Sequence, residues 1–135
     1  MNAIDLSGYK VTSGGLMTAS NWNGLFGAIV QAFADAKSEM SELADVTVLE
    51  DYPEVANGDA ITATDWYDLM DDLRAALYDC CMATHASYWS EAYDGFFTSM
   101  MSKGSGGIIY ESNWNDLVDT TQYVINEVTS EYRNN

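Results

Sequence analysis

Apolar residues recur along most of this chain at intervals of three and four. One run is Trp22, Leu25, Ile29, Phe33, Ala36, Met40 and Leu43. A second is Trp66, Leu69, Leu73, Leu77, Cys80 or Cys81, Thr84 and Tyr88, and a third is Trp114, Leu117, Thr121, Val124 or Ile125, Val128 and Tyr132. Such spacing lines apolar side chains along one stripe of an α-helix. It predicts three long helices, over residues 19–44, 63–93 and 111–132. The stretches before them are shorter on apolar residues and read as arms. Ile4, Leu6, Tyr9 and Val11 mark the first; Val46-Thr47-Val48-Leu49 in the second suits a short extended pair. Phe96, Phe97, Met100 and Met101 put much apolar surface into the third, either packed on the helices or open as a contact. The expected fold is all-α: three long amphipathic helices in three helix-plus-arm repeats, with short extended segments between them. The expected organisation is one domain, 1–135, with repeats at about 1–44, 45–93 and 94–135.

Each helix opens on the same phrase. It reads LMTASNWNGL from Leu16, AITATDWYDL from Ala60 and IIYESNWNDL from Ile108, with Trp22, Trp66 and Trp114 in one register, 44 and 48 residues apart. Self-similarity at such a period is the mark of a repeat architecture. In the first copy Thr18 stands as N-cap, with Asn21 three residues on to complete a capping box and Met17 set to staple against Trp22. In the second, Thr62 caps, Asp65 sits near the positive end of the helix dipole, and Ile61 staples to Trp66. In the third, Ile109 and Trp114 keep the staple, but Tyr110 replaces the threonine, so Ser112 is expected to cap. Gly14-Gly15, Gly58 and Gly106-Gly107 precede the three starts and let the chain turn into each helix. The phrase starts helices and contains no reactive group. That argues for assembly before catalysis.

Charge narrows the partners. With 21 acidic against 5 basic residues the net charge is −16, which disfavours nucleic acid and anionic membrane surfaces, since both need Lys and Arg. No apolar run approaches the roughly 18 residues of a membrane span. MNAIDLSGYK has neither a basic start nor an apolar core and does not read as a signal peptide.

Candidate chemistry is sparse. Cys80 and Cys81 are helix neighbours about 100° apart, so a disulfide between them would strain the backbone, and free thiols are the plainer reading. His85 stands one turn from Cys81, but the pair supplies two metal ligands, or three with Cys80, and lacks the orienting group a Cys/His catalyst needs. Asp68, Asp71 and Asp72 make one helix face anionic without the alternating oxygen ligands of a calcium loop; a solvated face is the plainer account. No phosphate loop, nucleophile elbow, zinc-protease or paired CxxC motif is present. No catalytic residue, cofactor or metal is therefore expected. Tyr88, Trp89, Tyr93, Phe96, Phe97, Met100 and Met101 form the candidate partner contact.

The recurring phrase, at its fullest in Leu16–Leu25 and Ala60–Leu69, resembles helix-opening segments of tailed-bacteriophage virion structural proteins, of the tail-fibre and baseplate type. The copy from Ile108 to Leu117 keeps Ser112, Asn113, Trp114, Asn115 and Leu117 without the Thr-Ala pair. The resemblance implies a non-enzymatic virion component (fibre, baseplate or capsid-attached), made in the host cytoplasm and placed in the virion. It would associate with itself as a homo-oligomer and with other virion proteins. The alternative is an acidic soluble adaptor that binds a partner protein.

Overall fold

A computed structural model describes residues 3–11, 18–56, 61–84, 89–103 and 111–134, the side chains of 131–134 apart. Among the described residues four helices follow one another: α1 Ala19–Glu39, α2 Ala63–Thr84, α3 Glu91–Lys103 and α4 Glu111–Asn134. Two single 3-10 turns also occur, Ser7–Tyr9 in the first arm and Ser41–Leu43 directly after α1, and no strand occurs among the described residues.

The helix starts follow their caps. Thr18 accepts the backbone N–H of Asn21 at 3.1 Å, while Asn21 accepts the N–H of Thr18, a closed capping box. Thr62 likewise accepts from the Asp65 N–H at 3.1 Å, and Ile61 packs against the core beside it. The third start differs from expectation. α4 is already under way at Glu111, so Ser112 lies inside the first turn and is not its cap. Tyr110 and the staple residues Met17 and Ile109 lie outside the described residues.

Two predicted helices are shorter than their stripes. α1 stops at Glu39, because Met40 turns to extended backbone (φ −118°, ψ 114°). The tight turn Ser41–Leu43 then swings Leu43 back into the core, so Met40 and Leu43 are both buried as the stripe required while the chain has left the helix axis. The helix expected over 63–93 is two helices. α2 is described over Ala63–Thr84 and α3 over Glu91–Lys103, with Trp89 and Ser90 outside both. Ser90 then starts α3, accepting from the Tyr93 N–H at 3.3 Å. A helix thus occupies the stretch expected to be an arm, with Phe97, Met100 and Met101 at helical spacing on its buried side. The extended pair expected at Val46–Leu49 does not form. The Val46 N–H is held by the Leu43 carbonyl and the Val46 carbonyl by Lys37 Nζ at 2.9 Å, so this segment runs beside α1 with Val48 and Leu49 turned inward.

The three phrase tryptophans meet in the centre. Each is 1% exposed; the Trp22 ring lies 5.8 Å from that of Trp66 and 6.2 Å from that of Trp114, and Phe26 packs edge-on to Trp114. A buried indole N–H needs an acceptor. Trp22 donates to the Pro53 carbonyl at 2.9 Å, Trp66 to the Met100 carbonyl at 2.6 Å, and Trp114 to the Tyr9 carbonyl at 2.8 Å. These acceptors stand 13, 14 and 13 residues ahead of Trp66, Trp114 and Trp22, each in the segment leading to another tryptophan's helix. Met100 is in the last turn of α3, so Trp66 also satisfies a carbonyl that the helix leaves unpaired.

Amide side chains complete two of these junctions. Asn23, next to Trp22, grips Val55 through both its main-chain N–H (3.0 Å) and carbonyl (2.8 Å). Asn115, next to Trp114, grips Val11 in the same way, at 2.8 and 2.9 Å. Further along α4, Gln122 accepts from the Leu6 N–H, and Asn126 takes both the N–H and the carbonyl of Ile4. The N-terminal arm therefore lies antiparallel along α4. Its Tyr9 ring closes over α1 at Gly24, where an added Cβ would come within 2.5 Å of the ring.

Candidate functional site

The helical stripes spend nearly all the large apolar side chains on the core. The exceptions therefore define a candidate contact surface. Among the described residues, Tyr67, Tyr78 and Met82 on α2 are 47%, 42% and 40% exposed, and Tyr123 on α4 is 53% exposed. Tyr78 meets Trp89 edge-on at 5.9 Å, Trp89 lies 5.7 Å from Tyr93, and Tyr93 lies 6.3 Å from Tyr123. A continuous band of rings thus crosses α2, the start of α3, and α4. It is anchored from below, since Trp89 stacks at 6.1 Å on the fully buried Phe97.

Carboxylates hold the band in place. Asp94 accepts from Trp89 Nε1 at 3.3 Å and from Arg74 at 3.2 Å; Arg74 also reaches Asp71 at 2.9 Å. Tyr123 donates its hydroxyl to Glu127 at 2.9 Å, and that bond and charge push the phenol above its ordinary value. These groups orient rings. None of them presents a nucleophile paired with a base.

Of the predicted contact residues, the structure brings Trp89 and Tyr93 to this surface and leaves Phe96 partly buried beside them. Phe97, Met100 and Met101 are in the core, at 0%, 1% and 8% exposure, and cannot serve as contacts: they are the apolar face of α3. Tyr88 lies outside the described residues, as does His85. Tyr78, Met82 and Tyr123 were missed. Their signal was position, since each falls outside its helix's apolar stripe while remaining large and apolar.

Two clefts flank the segment after α1. One, of about 550 Å³, lies between that segment and α1 and is lined by Val30, Ala34, Lys37, Val48, Leu49 and Glu50, among others. The other, of about 360 Å³, lies toward α2 and collects Glu50, Asp51, Asp72 and Asp79. Partial burial, and then the charges of Asp71 and Asp68, push the Asp72 carboxyl above its usual range. Among the described residues no group of three or more His, Cys, Asp or Glu has metal-site geometry.

Cys80 and Cys81 are both buried. Burial pushes the Cys80 thiol up to about 12, with the neighbouring Cys81 and Asp79 adding to the shift, so it is held protonated. No helix among the described residues is long and apolar enough to cross a membrane. Comparison of the chain with protein-family models, with curated proteins and with solved structures finds no match.

Proposed function

We propose that this chain is a non-enzymatic structural component of a virus particle, a fibre, baseplate or capsid-attached protein that associates with itself or docks on a larger assembly. The aromatic band is the observation that carries the reading. Four rings in mutual contact span three helices, exposed at both ends and pinned from beneath by a core phenylalanine. Exposed aromatics on rigid elements anchor protein interfaces, because they bury large area at little entropic cost.

The same reading takes the architecture as three helix-plus-arm units within one domain, closed in a ring. Each phrase tryptophan binds the arm of another unit: the first holds the second, the second the third, and the third the first. In the third unit the arm has coiled into α3. A closed ring leaves no unit free to add repeats end to end, so outward contacts fall to side surfaces such as the band.

Light scattering of the purified chain at low and high salt tests the proposal. A discrete oligomer that Tyr78→Ser/Tyr123→Ser converts to monomer is expected. A monomer at both salts that joins no particle would refute it. The second reading, an acidic adaptor, draws on the cleft where Glu50, Asp51, Asp72 and Asp79 gather. It predicts a monomer whose partner binding weakens with salt.

A further inference from the structure

Two helices with corresponding sequences hold their arms differently. α1 and α4 start on the same Asn-Trp-Asn phrase, and counting from the tryptophan sets Val30 and Ala34 of α1 beside Gln122 and Asn126 of α4. The arms correspond on the same count. Val11 and Val55 are each gripped by the asparagine after the tryptophan, and Leu6 and Ile4 of one arm match Glu50 and Val48 of the other.

On α4 the two carboxamides fill the space between helix and arm. They bond the main chain of Ile4 and Leu6. On α1 the matching side chains are short and apolar and offer no hydrogen bond. The space between them and residues 48–50 stands open as the cleft of about 550 Å³, within the roughly 300–1,000 Å³ range of ligand sites. No hydrogen bond from a described residue reaches the main chain of Thr47 to Glu50. The segment whose main chain is left unpaired thus forms one wall, and Val30 and Ala34 stand on the other beside Lys37 and Ser38.

We propose that this cleft receives a carboxamide side chain, Asn or Gln, carried by a peptide segment of a partner protein. The carboxamide would pair with the Val48 and Glu50 main chain as Asn126 and Gln122 pair with Ile4 and Leu6. A neutral amide matches the wall's mixture of donors and acceptors, since it offers both. A carboxylate does not, because it only accepts and would sit near the Glu50 carboxylate. Lys37, which lines the cleft, gives one of its three N–H groups to the Val46 carbonyl, so the glutamate analogue reads whether its charge draws a carboxylate instead. The proposal rests on the helix-plus-arm correspondence advanced above and names the partner chemistry of one unit.

The test uses the full chain, ¹⁵N-labelled, titrated with N-acetylglutamine methylamide, with the glutamate and norleucine analogues as controls. The glutamine probe is expected to shift the Val48 and Glu50 amides. The glutamate analogue should bind at least about tenfold more weakly, the factor set by roughly 1.4 kcal/mol, near the net worth of one hydrogen bond. Equal response to all three probes, no response to glutamine, or shifts that follow protein concentration without any probe would each overturn the proposal, the last by assigning the cleft to a second copy. A double variant, Val30→Gln/Ala34→Asn, supplies the carboxamides from within. It should slow hydrogen exchange at Val48 and Glu50 and abolish the glutamine response. A variant that gains this protection while the wild type ignores the probe sinks the partner but keeps the correspondence. A folded variant without protection sinks the correspondence itself. If the double variant does not fold, the wild-type titration still decides the partner.

Discussion

Trp66→Ala removes a ring that is 1% exposed and whose indole N–H satisfies the Met100 carbonyl. Two losses combine. Truncating a buried aromatic to Ala costs about 3–5 kcal/mol in transfer and cavity energy. The orphaned carbonyl, on a residue itself 1% exposed, adds roughly 1–3 kcal/mol unless water enters the cavity to replace the donor. A loss near 4 kcal/mol or more is a large share of the roughly 5–15 kcal/mol that holds a typical domain together. Trp66→Phe separates the two contributions: it keeps most of the apolar volume and loses the donor, so about 1–3 kcal/mol is expected. The assay is urea unfolding followed by far-ultraviolet circular dichroism, which reads the helices and not the deleted chromophore. A Trp66→Ala loss below about 1 kcal/mol would refute the claim that this ring is a core element, since no fully buried aromatic is removed so cheaply. A Phe variant as damaged as the Ala variant would show that the hydrogen bond, and not ring volume, dominates.

Other outcomes follow from the same structure. Thr62→Ala should cost about 1 kcal/mol as a lost cap, whereas Ser112→Ala should change stability by less than about 0.5 kcal/mol, both read from the urea midpoint. Thr121→Val should stabilise the fold by about 1 kcal/mol, because the Thr121 hydroxyl is buried without a partner and Ile29 stands at the same distance from Trp22; a destabilised variant would mean that the hydroxyl is satisfied. Cys80 should resist thiol reagents in the native protein at pH 8. Its folded value is raised from 9.0 to about 12, so the folded state keeps the proton that the unfolded state releases. Its contribution to stability is therefore intact below pH 9 and falls between pH 9 and 12, by up to about 1.4 kcal/mol per unit, which alkaline unfolding of wild type against Cys80→Ala would reveal.

Helix positions were legible because burial imposes a period. Every described member of the three stripes, from Trp22 to Leu43, Trp66 to Thr84 and Trp114 to Val128, is buried. Helix ends were less legible. The stripe toward Tyr88 and Trp89 kept its spacing across a break, since periodicity reports a face and not a continuous axis. Ser90-Glu91 carried a helix-start signal but lay inside the helix expected over 63–93, and Phe97, Met100 and Met101 carried the spacing of the helix that follows but fell in the stretch expected to be an arm. The amide clamps were written openly, as an asparagine after two of three tryptophans and as Asn115, Gln122 and Asn126 on one helix face. Their role was not legible. A carboxamide's partner here is main chain, which has no sequence identity, and the pairs lie 32 residues apart for Asn23 and 104 to 122 apart for those on α4.

That separation sets an order of events. The arm bearing Ile4, Leu6 and Tyr9 is synthesised well before its binding face on α4. The first two indole contacts span 31 and 34 residues and can close while the chain is still growing. The third spans 105 and must wait until α4 has been made. The loop entropy of that last closure is only modestly greater, by about 1 kcal/mol on logarithmic scaling, so the delay comes from synthesis and not from thermodynamics. Until it ends, Leu6 and the inner face of α4 have nothing to cover them, and a nascent chain at this stage offers chaperones and neighbouring copies the same apolar seam that the finished molecule hides.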